Sequence, residues 1–335
     1  MIPPDLAPAP KPRPGATPAR ARADVPTKPA PSAPTKAKAP VRTKEHADDR
    51  RTPVRAPARD ARDGAEALGS HGDFRTWLTR RTEEGRAAIL AHRGNIEGGA
   101  KPNTIASLEA ARRDRTSDAV EMDISELRDG TLVVYHDGDD PSIESIHDLD
   151  RDDLKDHPDI PTLDAWAKRA GELGTNVMAE FKGHGYEREA ISTLQRHLHD
   201  DQLEAMSFDP DAVRGVHAID SRIPVTLVID RDGDAPSVEE QVDDLGFDPD
   251  HIEVVRENVN EDVLSAMEAR GIGVLVGKED AGEQLALTKD HRVHGILTDR
   301  PTQAANLRDG RWVVDLFGRV GVANELGLVL NPQNT

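Results

Sequence analysis

Two acidic residues and a histidine lie close together in the segment AVEMDISELRDGTLVVYHD, residues 119–137. Glu121 and Asp123 are two positions apart in a run of strand-forming residues, so both side chains should lie on one face of a strand. His136 belongs to a second run of the same kind. Carboxylates and an imidazole on one face can bind a cation and transfer protons, so this segment is the first candidate for a reactive site.

The dipeptide DG at 129–130 separates the two runs and predicts a β-hairpin with a two-residue turn, because it readily adopts positive φ. The runs are too close in sequence for a parallel crossover connection. With that turn, Arg128 pairs with Thr131, and Asp123 lies directly opposite His136. The hairpin is therefore predicted to bring the imidazole to the carboxylates.

A third carboxylate, Glu180, lies in AEFKG near the end of the apolar run 176–182. Three acids that converge at one rim would repel each other unless a cation neutralised them. Carboxylate oxygens suit a hard divalent ion, and Mg²⁺ and Ca²⁺ both remain open. We therefore predict that Glu121, Asp123 and Glu180 bind one divalent cation. The alternative is that the two acids of the ExD pattern are rim residues paired with Lys or Arg.

Two histidines and two basic residues complete the candidate set. His92 and Arg93 follow the first apolar run of the folded part, and Lys182 shares a face with the third carboxylate. Two imidazoles near a metal can take and give a proton in one reaction, which predicts His92 and His136 as an acid/base pair. Arg93 and Lys182 are predicted to bind phosphate. The absence of a P-loop pattern favours a phosphodiester over a nucleotide.

Short apolar runs alternate with amphipathic helical stretches along the chain and must position these residues. The runs cover 87–92, 119–124, 176–182, 204–208, 224–229, 251–255, 273–277 and 294–299. Eight strand–helix units predict an α/β fold, a TIM barrel with the hairpin strand 131–137 added after strand 2. The candidate residues then lie at the C-terminal ends of the strands, where such barrels carry their active sites. A doubly wound sheet is the competing architecture, but no Gly-rich dinucleotide fingerprint supports it.

The first 62 residues differ in composition from the rest. They hold 14 of the 24 prolines and 14 Lys and Arg against 6 Asp and Glu, with few large apolar side chains. Such a segment cannot bury enough apolar surface to fold. We predict a disordered tail over 1–70, a barrel over 71–315 and a C-terminal extension over 316–335. The basic tail could bind an anionic surface, whereas the acidic remainder disfavours nucleic acid as a partner.

The composition also excludes several kinds of site. The chain has no cysteine, which excludes disulfides, thiolate nucleophiles and Cys-ligated metals. No apolar run approaches the roughly 18 residues of a membrane span, and the N-terminus lacks the pattern of a secretory signal. A cytoplasmic location is the default expectation, with export by a non-classical route as the alternative.

From about Ile89 to Pro301 the sequence resembles the glycerophosphodiester phosphodiesterase family. The matching segments, in the family's order, are AHRG (91–94), PNTIASLEAA (102–111), VEMDISELRDGTLVVYHD (120–137), IPTLDAW (160–166), AEFKG (179–183), SFDPDAV (207–213) and GILTDRP (295–301). The resemblance implies a TIM barrel and metal-dependent hydrolysis of a glycerophosphodiester to glycerol 3-phosphate and an alcohol. It implies the same roles for His92, His136, the three acids, Arg93 and Lys182.

One position departs from the family's pattern. Pro102 replaces an acid that usually precedes Asn103 and supports the cluster around Arg93, and Glu97 is a candidate substitute from the same loop. Two alternative functions remain: a phospholipase-type effector or toxin that acts on lipid headgroups, and a non-catalytic barrel that binds phosphodiesters.

Overall fold

The computed structural model describes residues 86–229, 235–255, 258–277 and 290–309, together with Leu78, Leu287 and the backbone of 312–314, 320–324 and 327–330. The predicted disordered tail, 1–70, lies outside the described residues. The division of the chain at residues 70 and 315 stays a prediction. None of the described helices has the length and apolar character that crossing a bilayer requires.

Eight parallel strands form a closed barrel, and one further strand is bonded to its outside. The strands are β1 (Ala88–Ala91), β2 (Ala119–Glu126), β3 (Leu132–Val134), β4 (Val177–Phe181), β5 (Leu203–Ser207), β6 (Val225–Ile229), β7 (His251–Val255), β8 (Gly273–Gly277) and β9 (Val293–Thr298). Strand β1 pairs in parallel with both β2 and β9, which closes the sheet. The predicted TIM barrel is confirmed, and β3 pairs antiparallel with β2 as the predicted hairpin extension.

Helices follow the strands around the barrel. They are α1 (Ile105–Asp114), α2 (Leu163–Leu173), α3 (Glu187–Gln195), α4 (Pro210–Ile219), α5 (Val238–Leu245), α6 (Glu261–Arg270) and α7 (Pro301–Arg308). At the start of α1, the Thr104 hydroxyl accepts the Ser107 N–H at 3.2 Å, and Ser107 Oγ accepts the Thr104 N–H at 3.2 Å. This capping box satisfies helix donors that would otherwise lack partners. Ser107 Oγ also donates to Arg93 O at 2.9 Å, so the cap fixes the loop after β1.

The two faces of β2 show why the acids point into the barrel. Val120, Met122 and Ile124 belong to the apolar layer between strands and helices. Their neighbours Glu121 and Asp123 must therefore face the opposite way, because side chains alternate along a strand. Both acids are fully buried. The period-two pattern in the sequence thus predicted the orientation of these carboxylates.

The hairpin register differs from the prediction by one residue. Ile124 pairs with Val134, and the Tyr135 N–H donates to Asp123 O at 3.0 Å, so Tyr135 rather than His136 lies opposite Asp123. The turn has three residues, 128–130, because the Leu127 N–H bonds to Thr131 O at 2.9 Å. The two-residue turn and the direct opposition of Asp123 and His136 are therefore wrong.

A small antiparallel sheet follows α7. Its strands are β10 (Trp312–Val314), β11 (Val320–Asn324) and β12 (Gly327–Leu330), with β11 in the middle. Strands β10 and β11 lie beside α7. The sequence analysis predicted only an extension here and no sheet.

Replacing Gly94 with alanine should destabilise the fold strongly. Gly94 has φ +88°, and an added Cβ would lie 2.5 Å from Ser107 Oγ and 2.6 Å from Ser107 Cβ. Gly174 also has positive φ, at +63°, but its Cβ would meet nothing within 4 Å. We expect Gly174→Ala to cost about 1–2 kcal/mol from backbone strain alone, and Gly94→Ala to cost about 1–3 kcal/mol more from overlap. Urea unfolding measures both, and equal costs would contradict this interpretation.

Candidate active site

Three carboxylates converge at the C-terminal end of the barrel. Glu121 and Asp123 come from β2, and Glu180 comes from β4. Asp123 and Glu180 are paired in the register of these neighbouring parallel strands, so their side chains share a face. Each residue offers one oxygen, and these atoms all lie within 4.8 Å of one another. The structure therefore brings together the three acids that the sequence analysis selected.

Two basic residues, Lys182 and Arg93, contact these acids. Lys182 Nζ lies 2.9 Å from Asp123 Oδ1 and also contacts Glu180 Oε1. Arg93 donates its backbone N–H to Glu121 Oε2 at 2.8 Å, and its Nε lies 3.1 Å from Asp123 Oδ2. The predicted phosphate ligands are thus adjacent to the predicted metal ligands.

The donor set fits a hard divalent cation. Glu121 Oε1 and Asp123 Oδ1 are both buried. Among the described residues, Glu121 Oε1 has no hydrogen-bond partner, and Asp123 Oδ1 has the ion pair with Lys182 but no hydrogen bond. Burying such carboxylate oxygens is costly, and a cation coordinated by them would lower that cost. The three acids could therefore hold a metal ion.

Burial and mutual repulsion control the protonation of the acids. Burial raises the pKa of Glu121 well above its ordinary value, and the charges of Asp123 and Glu180 raise it further. Burial also raises the pKa of Glu180, although Lys182 opposes this. Burial alone would raise the pKa of Asp123 too, but Lys182 and Arg93 bring it below the ordinary value. Without a cation, Glu121 is therefore the acid that most favours keeping its proton.

The two predicted catalytic histidines are each held at Nδ1. His92 Nδ1 lies 2.6 Å from Asp299 Oδ1, and His136 Nδ1 lies 2.6 Å from the carbonyl oxygen of Asp137. A carbonyl oxygen only accepts, so Nδ1 of His136 must carry a hydrogen. In both rings Nε2 is then the nitrogen available for proton transfer. Burial lowers the pKa of His136. The charge of Asp123 raises this pKa, and the charges of Lys182 and Arg93 lower it.

Comparison with known proteins identifies the family. The sequence model of the glycerophosphoryl diester phosphodiesterase family matches residues 92–303. The chain belongs to this family. Its members are phosphoric diester hydrolases, which is the enzyme class that the sequence analysis predicted. Among curated proteins, no significant match to the chain was found.

Solved structures of the same family share the fold. A glycerophosphodiester phosphodiesterase from Parabacteroides distasonis ATCC 8503 is 24% identical, with a TM-score of 0.57 over 67% of this chain and 97% of that chain. The Oleispira antarctica phosphodiesterase OLEI02445, solved with the product sn-glycerol-3-phosphate, is 23% identical, with a TM-score of 0.56 over 67% and 97% of the two chains. At these identities the likeness shows the barrel fold.

The structure also adds two residues to the site that the sequence analysis did not select. Asn103, at φ +58°, donates from Nδ2 to Asp123 Oδ2 at 2.7 Å and accepts the Asp123 N–H at 3.1 Å. Asp139 accepts from Arg93 Nη1 at 3.0 Å. Glu97, the candidate substitute for the missing acid, accepts the backbone N–H groups of Thr302 and Gln303 at the start of α7.

A cavity of about 270 Å³ opens beside the acids. Glu180, Lys182 and His136 line it together with Phe208 and His147. Phe208 is 44% exposed, and Lys182 Nζ lies 5.7 Å from its ring centroid. His147, whose Nδ1 lies 2.7 Å from Glu126 O, is one of the residues that line this cavity. An exposed aromatic ring in the cavity gives a substrate an apolar wall.

Proposed function

We propose that this family member hydrolyses a glycerophosphodiester to glycerol 3-phosphate and an alcohol, with one divalent cation bound by Glu121, Asp123 and Glu180. The observation that carries the proposal is the cluster of three buried carboxylates next to Arg93 and Lys182. The Oleispira relative, whose structure contains the product sn-glycerol-3-phosphate, supports the choice of substrate.

The basic residues bind and orient the phosphate in this mechanism. Mg²⁺ or Ca²⁺, when bound, polarises a phosphoryl oxygen and balances the charge of the three acids. Arg93 has a planar guanidinium that can donate two parallel hydrogen bonds to phosphate oxygens. Lys182 contributes a point charge, and its Nζ already lies between Asp123 and Glu180. Together they offset the charge of the diester and hold its phosphorus near the histidines.

The histidines transfer the protons. One Nε2 takes the proton of the attacking hydroxyl or water, and the other Nε2 gives a proton to the leaving alcohol. His92 is buried and held by Asp299, whereas His136 lies on the wall of the cavity that holds Phe208. We propose that the alcohol part of the diester occupies this cavity. The Phe208 ring and the imidazoles of His136 and His147 line the cavity and can contact the alcohol.

A substrate panel with and without metal tests the proposal. We expect the purified chain to release glycerol 3-phosphate from at least one of glycerophosphocholine, glycerophosphoethanolamine, glycerophosphoglycerol and glycerophosphoinositol, followed by ³¹P NMR. Chelation should lower the rate by about 10³-fold, the equivalent of several kcal/mol of transition-state stabilisation. Added Mg²⁺ or Ca²⁺ should restore it. Full activity after chelation, or hydrolysis of phospholipid vesicles but none of the four diesters, would contradict the proposal.

A further inference from the structure

The Asp139 carboxylate accepts hydrogen bonds from three parts of the site. Arg93 Nη1 donates to Oδ1 at 3.0 Å, Asn103 Nδ2 donates to Oδ2 at 2.9 Å, and the His136 backbone N–H donates to Oδ2 at 3.1 Å. The Asp139 side chain is only 7% exposed. One carboxylate therefore connects a phosphate ligand, the amide beside Asp123 and the backbone of a predicted catalytic histidine.

A tight turn after β3 explains how Asp139 reaches these donors. The Asp139 N–H bonds back to His136 O at 3.0 Å, and Gly138 between them has φ +98°. Glycine adopts this conformation without the Cβ penalty. The turn folds the Asp139 side chain onto the N–H of His136 and aims its other oxygen at the loop after β1. The sequence HDGD at 136–139 contains the residues of this turn, whereas the contact with Arg93 joins distant segments.

We propose that Asp139 is a positioning residue for the reaction, and that it acts through Arg93 and His136 without contacting substrate or metal. This inference rests on the proposed function. Both of its oxygens already accept N–H donors, and the metal-competent group of acids does not include it. The guanidinium of Arg93 contacts Asp139 Oδ1 through Nη1 and Asp123 Oδ2 through Nε, so both carboxylates help to fix its direction.

The loop that carries Arg93 has an uncommon backbone conformation. Arg93 has φ +54°, a left-handed conformation that a non-glycine residue adopts only when its surroundings hold it. Its side chain is 16% exposed and reaches both acids. Without the charge of Asp139, the guanidinium would keep only its contact with Asp123, the predicted metal ligand. The guanidinium would then no longer be fixed in the direction that binds phosphate.

Asp139→Asn tests the proposal in the full chain. Asparagine has one acceptor oxygen, so its amide N–H₂ must face at least one of the three donors. We expect kcat for the best diester of the panel to fall by about 10- to 100-fold, because displaced groups lose this much in well-aligned sites. The affinity for Mg²⁺ and Ca²⁺ by calorimetry should change less than about 3-fold, a readout that separates positioning from ligation. The affinity for glycerol 3-phosphate should fall with kcat.

Asp140→Asn is the matched control. Within the described part of the chain, its carboxylate accepts hydrogen bonds from Ser142, through the backbone N–H at 2.9 Å and the hydroxyl at 2.7 Å. This variant removes one negative charge at the neighbouring position and should retain wild-type kcat. If both variants lost kcat equally, the effect would come from charge or turn structure, and the proposal would be wrong.

Arg93→Lys tests the same contact without changing Asp139, so the proposal stays testable if Asp139→Asn folds poorly. Arg93→Lys retains the charge but lacks the fork that reaches both acids, and it leaves the bonds from Asn103 and His136 to Asp139 in place. Its loss of kcat should be at least as large as that of Asp139→Asn, because it also removes hydrogen bonds to phosphate. The double variant should lose little more than Arg93→Lys alone. The proposal would be wrong if the kcat losses of the two single variants multiplied in the double variant. It would also be wrong if Asp139→Asn lost metal affinity or kept the wild-type kcat. If the wild type hydrolyses no diester, the proposed function is wrong. The affinity of the wild type and Asp139→Asn for glycerol 3-phosphate then tests the positioning role by itself, and equal affinities would contradict that role.

Discussion

His136→Gln is expected to lower kcat by about 10²- to 10⁴-fold, the range that a positioned acid or base contributes. Glutamine is close to imidazole in size and polar, but it cannot take or give a proton at the position of Nε2. His136 Nδ1 is already committed to Asp137 O, so Nε2 is the atom whose loss matters. Steady-state kinetics on the best diester of the panel measures the effect.

His92→Gln should have an effect of the same order, because Asp299 leaves the same nitrogen available in His92. His291→Gln is the control: this histidine is 72% exposed, pairs with Glu268 and lies away from the site. We expect it to keep wild-type kcat. Full activity in both His92→Gln and His136→Gln would rule out the two-histidine mechanism.

The pH dependence of the reaction should also report on His136. Burial lowers its pKa below the ordinary value of 6.5, so its imidazole stays neutral to a lower pH than a free histidine. If His136 is the base, the acidic limb of kcat/KM lies below pH 6.5 and disappears in His136→Gln. If His136 is the acid, the basic limb responds instead. The limb that changes assigns the role of this residue.

The sequence predicted those parts of the site that depend on local periodicity. Glu121 and Asp123 share a face because they are two positions apart in one strand, and the barrel then puts Glu180 next to them. Strand-end positions located His92 and Lys182 in the same way. These features follow from element type and order alone.

The errors come from contacts between segments distant in the sequence. The dipeptide at 129–130 suits a two-residue turn, but the Arg128 N–H bonds to Leu149 O at 2.9 Å, and Asp129 Oδ2 accepts the Arg151 N–H at 3.1 Å. These bonds to the segment after β3 accompany the wider turn and the shifted register. Asp139 was missed for the same reason, since its partner Arg93 is 46 residues away in sequence. No local pattern contains such a contact.

Adding a divalent cation should raise the melting temperature of the wild-type protein. At 100 times the dissociation constant, binding to the folded state alone contributes about 2.7 kcal/mol. For a domain of this size each kcal/mol corresponds to roughly 2–4 °C, so we expect a rise of about 5–10 °C. Thermal unfolding with chelator, Mg²⁺ or Ca²⁺ measures the shift and ranks the two ions.

Glu121→Gln should abolish this shift and the activity, while the metal-free protein becomes at least as stable as the wild type. The variant keeps an oxygen for the Arg93 N–H but removes one of three mutually repelling charges. Burial raises the folded-state pKa of Glu121 above its ordinary value of 4.5. Between these two pKa values the metal-free folded protein binds more protons than the unfolded chain. Its stability therefore falls as pH rises from about 4.5 towards the folded-state pKa. The variant should lack this share of the pH dependence.

Glu121→Gln is expected to keep or raise the stability of the metal-free protein and to abolish its stabilisation by a cation. This combination distinguishes a metal site from a cluster of ion pairs that only supports the fold. If the three acids only formed ion pairs with Arg93 and Lys182, removal of one would destabilise the metal-free protein by leaving buried cations less compensated. If they form a cation site, the same change relieves repulsion without metal and removes stabilisation with it. Glu189→Gln, at an exposed position on α3, should change neither quantity. A metal-free Glu121→Gln protein that melts well below the wild type, with the cation-induced shift retained, would show that Glu121 serves the fold and does not bind the metal.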